Sequence, residues 1–140
     1  MASTGFIFHD QGEEYVLQIL FSKEQTLPAN YYVGLCNDTL TESDTLATMQ
    51  NEPTETGYAR FEIDLNDTDC VVAQDGDYYR VTFPACLFTA GEDWAAVDTW
   101  FLCNVASGTA GKLLASGPLS APVELGNGST LTVTPYLRVK

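Results

Sequence analysis

The sequence predicts a mainly β protein, an antiparallel β-sandwich or barrel with one short N-terminal α-helix. Three observations carry this prediction: short segments in which apolar and polar residues alternate, turn residues between them, and a single helical pattern near the start. A chain of 140 residues fits one domain and folds without a disulfide or a metal. We expect one sandwich domain over 1–140, with an N-terminal arm over 1–9, a helix over 10–23 and strands over 30–140.

The helical pattern lies in HDQGEEYVLQILFSKEQ, which begins at His9. Asp10 is in position to cap the helix, and Glu13 follows three residues later, as in a capping box. Apolar residues then recur at helical spacing, and Pro28 favours a helix end near 23–26. A helix of about three turns is too short to be stable by itself, so we expect it to dock on another element.

The first long strand is predicted in NYYVGLC, over 30–36, with Tyr31, Val33 and Leu35 on one face. A polar segment over 37–57 follows, and it is rich in Thr, Asp and Glu. A loop of this length in a small domain is typical of a functional or mobile region. We therefore treat it as a candidate contact surface.

The segment GYARFEIDL, which begins at Gly57, changes to a period of two. Successive side chains of a strand point to opposite faces, so this alternation predicts a half-buried strand. The apolar face holds Ala59, Phe61, Ile63 and Leu65, and the opposite face holds Tyr58, Arg60, Glu62 and Asp64.

Five later segments also read as strands: CVVA, DYYRVTFPACLFT, VDTWFLCNVA, KLLAS and STLTVTPYLRV. Asp75-Gly76 and Gly126-Asn127-Gly128 are turn signals between them. The last segment alternates cleanly, with Val139 on its apolar face and Arg138 on its polar face. We expect one core to hold the apolar faces of the two clearest strands: Ala59, Phe61, Ile63, Leu131, Val133 and Leu137.

The charge of the chain limits its partners. Nineteen Asp and Glu residues against six Lys and Arg residues give a net charge of −13. Such a protein repels nucleic-acid phosphates and anionic membranes, and no apolar run is long enough to span a bilayer. We expect no nucleic-acid partner and no membrane partner. The start of the chain lacks the basic and apolar regions of a signal peptide, so we expect synthesis in a cytoplasm without export.

The four cysteines are Cys36, Cys70, Cys86 and Cys103, and none forms a C-x-x-C pair. Cys36, Cys86 and Cys103 have apolar neighbours. We therefore predict free thiols that act as small buried hydrophobes.

A search for catalytic chemistry finds no convincing motif. The chain has one histidine, His9, which lies in no nucleophile motif and excludes a His-rich metal centre. DLNDTDCVVAQD has part of the spacing of a calcium loop, but Asp69 stands where that loop requires Gly. SGTAGK lacks the spacing of a phosphate loop and reads as a turn. We expect no catalytic residue, no cofactor and no metal, and hence no enzymatic activity.

Two alternatives stay open for the tryptophans. Trp94 and Trp100, together with the tyrosines, could form a platform for stacking sugars, or they could fill the core or an interface between subunits.

The order of motifs resembles a group of small structural proteins of tailed bacteriophages, found among head-decoration and tail-associated virion components. The resemblance covers nearly the whole chain. It rests on GEEYVLQILF, LPANYYVGLCNDT, EPTETGYARFEI, WFLCNV, GKLLASGPLS and GSTLTVTPYLRV. The sharpest pieces are EP…GYAR and GKLLASGPLS…LTVTP, and both look architectural rather than catalytic.

This resemblance implies a virion protein with a β-sandwich fold, present in many copies and often trimeric. The main expectation is a capsid decoration, or cement, protein that is made in the host bacterial cytoplasm and binds the major capsid protein on the outer capsid surface. The alternative is a tail or fibre component that recognises a host glycan. The expected contact residues, besides the 37–57 loop, are Phe6, Ile7, Phe8, His9, Tyr31, Tyr58, Trp94 and Trp100.

Overall fold

A computed structural model describes residues 6–140, so the first part of the expected arm, 1–5, lies outside the described residues. The helix α1 spans Asp10–Leu17 and continues as a π-helical turn over Gln18–Ser22. The strands are β1 (Ile7–Phe8), β2 (Asn30–Cys36), β3 (Phe61–Asp64), β4 (Val71–Asp75), β5 (Tyr78–Thr82), β6 (Cys86–Thr89), β7 (Val97–Cys103), β8 (Leu113–Val123), β9 (Thr130–Val133) and β10 (Tyr136–Val139).

All strand pairs are antiparallel and form three sheets, in the orders β1-β8-β7-β2-β3, β10-β5-β4 and β6-β9. The sheets are arranged as a sandwich, and within residues 6–140 they do not close into a barrel. The predicted fold class, mainly β and antiparallel with one short helix, is therefore confirmed.

Two of the segments predicted as single strands are each divided by a proline. Pro84 separates β5 from β6, and Pro135 separates β9 from β10. Proline has no N–H for a strand ladder, so the ribbon bends at these two points and passes from one sheet to another. The bend stays hydrogen-bonded, because the Phe83 amide donates to the Pro135 carbonyl over 3.0 Å. The paired bends make a corner of the sandwich.

The main core contains most of the residues predicted for it. Ile63 and Val133 are buried in it, and Phe61, Leu131 and Leu137 are half-buried and pack against it. Ala59 is exposed, so that part of the prediction is wrong. The hydrogen-bonded ladder of β3 begins only at Phe61, so Ala59 lies before the strand and does not share its buried face.

A second core cluster lies beneath the 37–57 loop, where Leu40 and Leu46 are buried against Phe101. Carboxylates hold the loop in place: Asp44 accepts from the Thr41 amide over 2.7 Å. Asp38 accepts from the Asn51 amide over 3.0 Å in the same way. The long loop is therefore folded onto the protein by its own acidic side chains.

The N-terminal cap of the helix lies one residue earlier than predicted. His9 is the N-terminal cap residue, and its side chain makes no capping hydrogen bond. The His9 amide donates to the Leu114 carbonyl over 3.0 Å, which keeps His9 extended beside β8. Asp10 is consequently the first helical residue, so its predicted role as the cap is wrong. The predicted end near Lys23 is confirmed, since Lys23 has a left-handed backbone with φ of 59°.

All four cysteines are free, and Cys36, Cys86 and Cys103 are buried. Burial raises the pKa of Cys86 to about 12. It raises the pKa of Cys36 as well. These thiols therefore stay protonated near neutral pH and behave as apolar side chains.

Candidate functional site

One face of the helix is fixed to the five-stranded sheet. Gly12 approaches β8 so closely that a Cβ atom there would lie 2.3 Å from the Leu114 carbonyl oxygen. Tyr15 is buried, and its ring meets the Tyr31 ring edge-on at 6.4 Å between centroids. Glycine at 12 and an aromatic ring at 15 thus let the helix dock tightly.

The other side of the helix carries an exposed apolar patch, here called the helix surface, made of Val16, Leu17, Leu20, Phe21 and Leu27. Leu20 is 64% exposed and Phe21 is 75% exposed. The π-helical turn turns Ile19 towards the main core and leaves its neighbours Leu20 and Phe21 outside. Contiguous exposed apolar patches on a folded protein mark sites of association.

A shallow groove of about 500 Å³ extends the helix surface towards the C-terminal strand. Phe8, Val16, Leu17 and Val139 give it an apolar lining, and its charged lining residues are Glu13, Arg138 and Lys140. Val139 is itself 57% exposed. The apolar area available for a contact is therefore larger than the helix alone provides.

A polar network lies around Arg60, whose side chain is buried. The Arg60 guanidinium donates twice to the Glu52 carboxylate, from Nε over 2.8 Å and from Nη2 over 2.7 Å. Its remaining hydrogen bonds include those to the carbonyls of Val105, at 3.2 Å, and Gly108, at 3.0 Å. Arg60 thus ties the 37–57 loop to the loop between β7 and β8.

Tyr58 completes this network. Its hydroxyl donates to Glu52 Oε1 over 2.8 Å and accepts from the Leu35 amide over 3.0 Å. Burial raises the pKa of Tyr58, so the phenol stays neutral and keeps its donor. The carboxylate, phenol and guanidinium form one fully hydrogen-bonded unit.

The network gives the EP…GYAR motif a structural role. Gly57 has φ of 90°, and a Cβ atom there would lie 2.5 Å from the Gly91 amide nitrogen. The tight turn at Gly57 brings Tyr58 and Arg60 back to Glu52. Arg60 lies on the face opposite Phe61 and Ile63, as alternation predicted, but it is buried there among its hydrogen-bond partners. The sequence did contain a signal for this network: Glu52, Tyr58 and Arg60, one of the few cations, lie within one short motif.

The expected contact residues at the N-terminus lie in the sheet rather than at an exposed tip. Ile7 pairs with Ser116 and Phe8 with Ala115, and Phe6, Ile7 and Phe8 are half-buried. His9 is fully buried, with Nε2 2.8 Å from Ser116 Oγ. The apolar residues before the helix therefore complete the edge of β8.

The expected aromatic contacts lie mostly inside. Trp94 and Trp100 are buried in the main core, so the core alternative holds for both. Tyr31 and Tyr58 are half-buried against the same core. The structure brings Tyr58 to Trp94, with centroids 5.6 Å apart, and leaves none of these four side chains as an exposed platform. The exposed helix surface was not among the expected contacts.

The segments tested for metal and phosphate binding have local structural roles. Asn66 Oδ1 accepts from the amides of Thr68, at 2.9 Å, and Asp69, at 2.7 Å, so DLNDTD contains an Asx turn. SGTAGK connects β7 to β8, and Gly108 in it has φ of 77°. Over residues 6–140, no group of three or more His, Cys, Asp or Glu side chains is placed to hold a metal ion.

Exposed apolar side chains such as those of the helix surface are typical of proteins that associate with a partner surface. The family model described as podophage GP4 fiber I protein gp80 matches residues 8–136, so the chain belongs to that family. It is accordingly a structural component of a tailed-phage virion. No curated protein matches the chain. None of the described helices is long and apolar enough to cross a membrane.

Proposed function

We propose that the chain is a non-enzymatic fibre component of a podophage tail. The observation that carries this proposal is the match over residues 8–136 to a family described as a fiber protein. The match supports the fibre alternative better than the capsid decoration that we expected from the sequence. Binding to the major capsid protein and a position on the outer capsid surface remain predictions of the less supported reading.

The proposed lack of enzymatic activity is supported by the state of the reactive side chains. His9, the one histidine of the chain, is fully buried, and its Nε2 forms a hydrogen bond with Ser116 Oγ. Burial raises the pKa of the Cys36 and Cys86 thiols, which makes them poor nucleophiles near neutral pH.

The helix surface is the proposed contact between copies of the chain, in the trimer that we expected from the sequence. Burying side chains such as Leu20 and Phe21 would remove exposed apolar area from water, which favours association. The net charge of −13 opposes it, because like-charged copies repel one another. Salt screens that repulsion, so association through an apolar surface should strengthen as the salt concentration rises.

The location is tested by labelling virions of the phage that encodes this chain with gold-conjugated Fab fragments and imaging them by electron microscopy. Label confined to tail fibres is the expected result, with a low copy number by quantitative gel densitometry. Label spread over the capsid at high copy number would overturn the fibre proposal in favour of the decoration reading.

The contact between copies is tested by sedimentation equilibrium of the purified chain at about 0.05 and 0.5 M salt. We expect an oligomer that is more stable at the higher salt concentration. The Leu20→Ser/Phe21→Ser double variant should not form this oligomer. Leu87→Ser is the matched control, because Leu87 is also exposed but lies on β6. A monomer at both concentrations, or an oligomer that the double variant leaves intact, would contradict the proposed contact.

A further inference from the structure

Half of the few cations of this acidic chain lie on or directly after the strands of one sheet. Of six Lys and Arg residues, Arg80 lies on β5, Arg138 lies on β10 and Lys140 follows β10. Arg80 and Arg138 are direct partners across the two antiparallel strands, so both point to the same face. Like charges directly opposite each other destabilise a sheet. A second feature must offset that repulsion or make use of it.

Aromatic rings on the same face provide part of the compensation. The Arg80 guanidinium lies 4.2 Å from the centroid of the Tyr136 ring, and that of Arg138 lies 4.8 Å from the Tyr78 ring. The Lys140 ammonium lies 5.4 Å from the same Tyr78 ring. Rings attract cations through their negative faces, but they leave the N–H groups at the edges of a guanidinium free to donate.

The cations differ in how far carboxylates neutralise them. Asp75 pairs with Arg80 at 2.7 Å, yet Arg80 Nε is buried without a hydrogen-bond partner in the described part of the chain. Arg138 and Lys140 are exposed, and no carboxylate between residues 6 and 140 forms an ion pair with either. This face therefore holds two uncompensated positive charges in a protein of net charge −13.

A cleft of about 270 Å³ adjoins this face. Its lining residues are Phe6, Trp100, Gly117, Pro118, Tyr136 and Arg138. The Phe6 and Tyr136 rings stack with an interplanar angle of 9°, and a Cβ atom on Gly117 would lie 2.8 Å from the Trp100 ring. The cleft thus combines an apolar aromatic wall with one free guanidinium at its rim.

We propose that this cleft binds an anionic saccharide, a sugar that carries a carboxylate or a phosphate. The Arg138 guanidinium, with its planar set of donors, binds the anionic group, and Lys140 adds a second charge nearby. The apolar C–H face of the sugar packs on Phe6, beside the edge of the Tyr136 ring. The proposal rests on the fibre function for its setting at a host surface, but not for the binding chemistry.

The charge of the whole chain separates this ligand from nucleic acid. A nucleic acid brings a dense row of phosphates against a surface of net charge −13, and only Arg138 and Lys140 are free to meet it here. A short saccharide that carries few charges meets the two cations with much less of that repulsion. The aromatic wall distinguishes the same ligand from a simple inorganic anion, which has no apolar face to pack.

The test is isothermal titration calorimetry of the full chain with four probes: trigalacturonate, mannose 6-phosphate, neutral galactotriose and inorganic phosphate. We expect one or both anionic sugars to bind, with galactotriose and phosphate at least about tenfold weaker. Arg138→Gln should weaken the anionic sugar at least about tenfold, and Arg138→Lys should restore part of the loss. Lys23→Gln is the control, because it removes one exposed cation on the helix side.

Several results would overturn the proposal: no binding of either anionic sugar, equal binding of galactotriose or phosphate, or binding that Arg138→Gln leaves unchanged. A loss of the oligomer in Arg138→Gln would also overturn it, since the cations would then serve a contact between copies. The outcome is independent of the labelling experiment. A chain that binds the sugar but labels the capsid would keep the site and lose the fibre function.

Discussion

Two arginine environments in this protein show opposite uses of the same side chain. Arg60 is enclosed, and Glu52 and the carbonyls of Val105 and Gly108 accept its hydrogen bonds. Arg138 is exposed on the three-stranded sheet β10-β5-β4, here called the outer sheet. There it lies opposite Arg80 and beside tyrosine rings, and it forms an ion pair with no carboxylate of the described residues. An arginine whose donors are all used stabilises the fold. One whose donors are left free is available to a ligand.

The difference lies in what each cation would lose. The Arg60 side chain is buried and that of Glu52 is only partly exposed, so the removal of either leaves the other charged and without its partner in a poorly solvated place. Arg138 remains in water, and its removal strands no partner. The two sites should therefore respond very differently to the same kind of substitution.

The largest effect is expected at the buried site. Arg60→Met should lower the free energy of unfolding by about 3–5 kcal/mol, because the Glu52 carboxylate would lose its charged partner inside the protein. Urea unfolding followed by circular dichroism measures the change. A loss below about 1 kcal/mol would mean that water reaches Glu52 and that the site resembles the outer sheet.

A smaller effect is expected from the third member of the network. Tyr58→Phe removes a hydroxyl that donates to Glu52 and accepts from the Leu35 amide, which leaves that amide without its partner. The expected loss is about 1–3 kcal/mol in the same unfolding measurement. Tyr79→Phe serves as the control, because Tyr79 is 57% exposed, and it should change the stability little. Equal losses in both variants would contradict the role of the Tyr58 hydroxyl.

His9 extends the comparison to a buried group that is neutral. Burial lowers its pKa below 6.5, although the carbonyls of Glu42 and Thr41 and the charges of Asp44 and Asp10 act in the opposite direction. The unfolded chain then binds more protons than the folded chain between the two pKa values. The contribution of His9 to the free energy of unfolding should therefore be complete above pH 6.5. It should be lost as the pH falls through the lower pKa of His9 in the folded chain.

Thermal unfolding of the wild type and of His9→Gln between pH 7.5 and pH 5 measures this contribution. We expect the melting temperature of the variant to fall less on acidification than that of the wild type. Identical pH profiles would show that His9 does not contribute.

The smallest effect is expected on the outer sheet. Arg80→Gln and Arg138→Gln should each change the free energy of unfolding by no more than about 0.5 kcal/mol, since relief of their mutual repulsion offsets the lost contacts with the rings. Urea unfolding of both variants checks this. A loss of more than about 2 kcal/mol would place these arginines with Arg60 as structural residues.

The sequence predicted the elements better than their boundaries or their charges. Alternation in FEID and helical spacing after Asp10 are local patterns, and they gave the strand and the helix correctly. The bends at Pro84 and Pro135 follow from a missing N–H, but their pairing depends on strands far apart in the chain. The place of a side chain in the folded protein depends even more on distant parts of the chain.

Arg60 and the outer cations illustrate this limit. Alternation placed Arg60 on the correct face, but it did not show that Glu52 and the loop between β7 and β8 would cover that face. The sequence contains no cluster of Lys and Arg, and strand register alone brings Arg80 opposite Arg138. The helix surface was missed because the pattern showed an apolar helix without showing which of its apolar residues the sheet would cover.

The pairing of β1 with β8 also constrains the order in which the chain folds. Ile7 lies opposite Ser116, and the side chain of Gln11 accepts from the Leu113 amide over 3.0 Å. During synthesis from the N-terminus, the β8 part of the docking surface of the helix is therefore missing until more than three quarters of the chain has left the ribosome. Contacts of such long sequence separation slow folding. The face of the helix that carries Gly12 is thus left without β8 for most of synthesis.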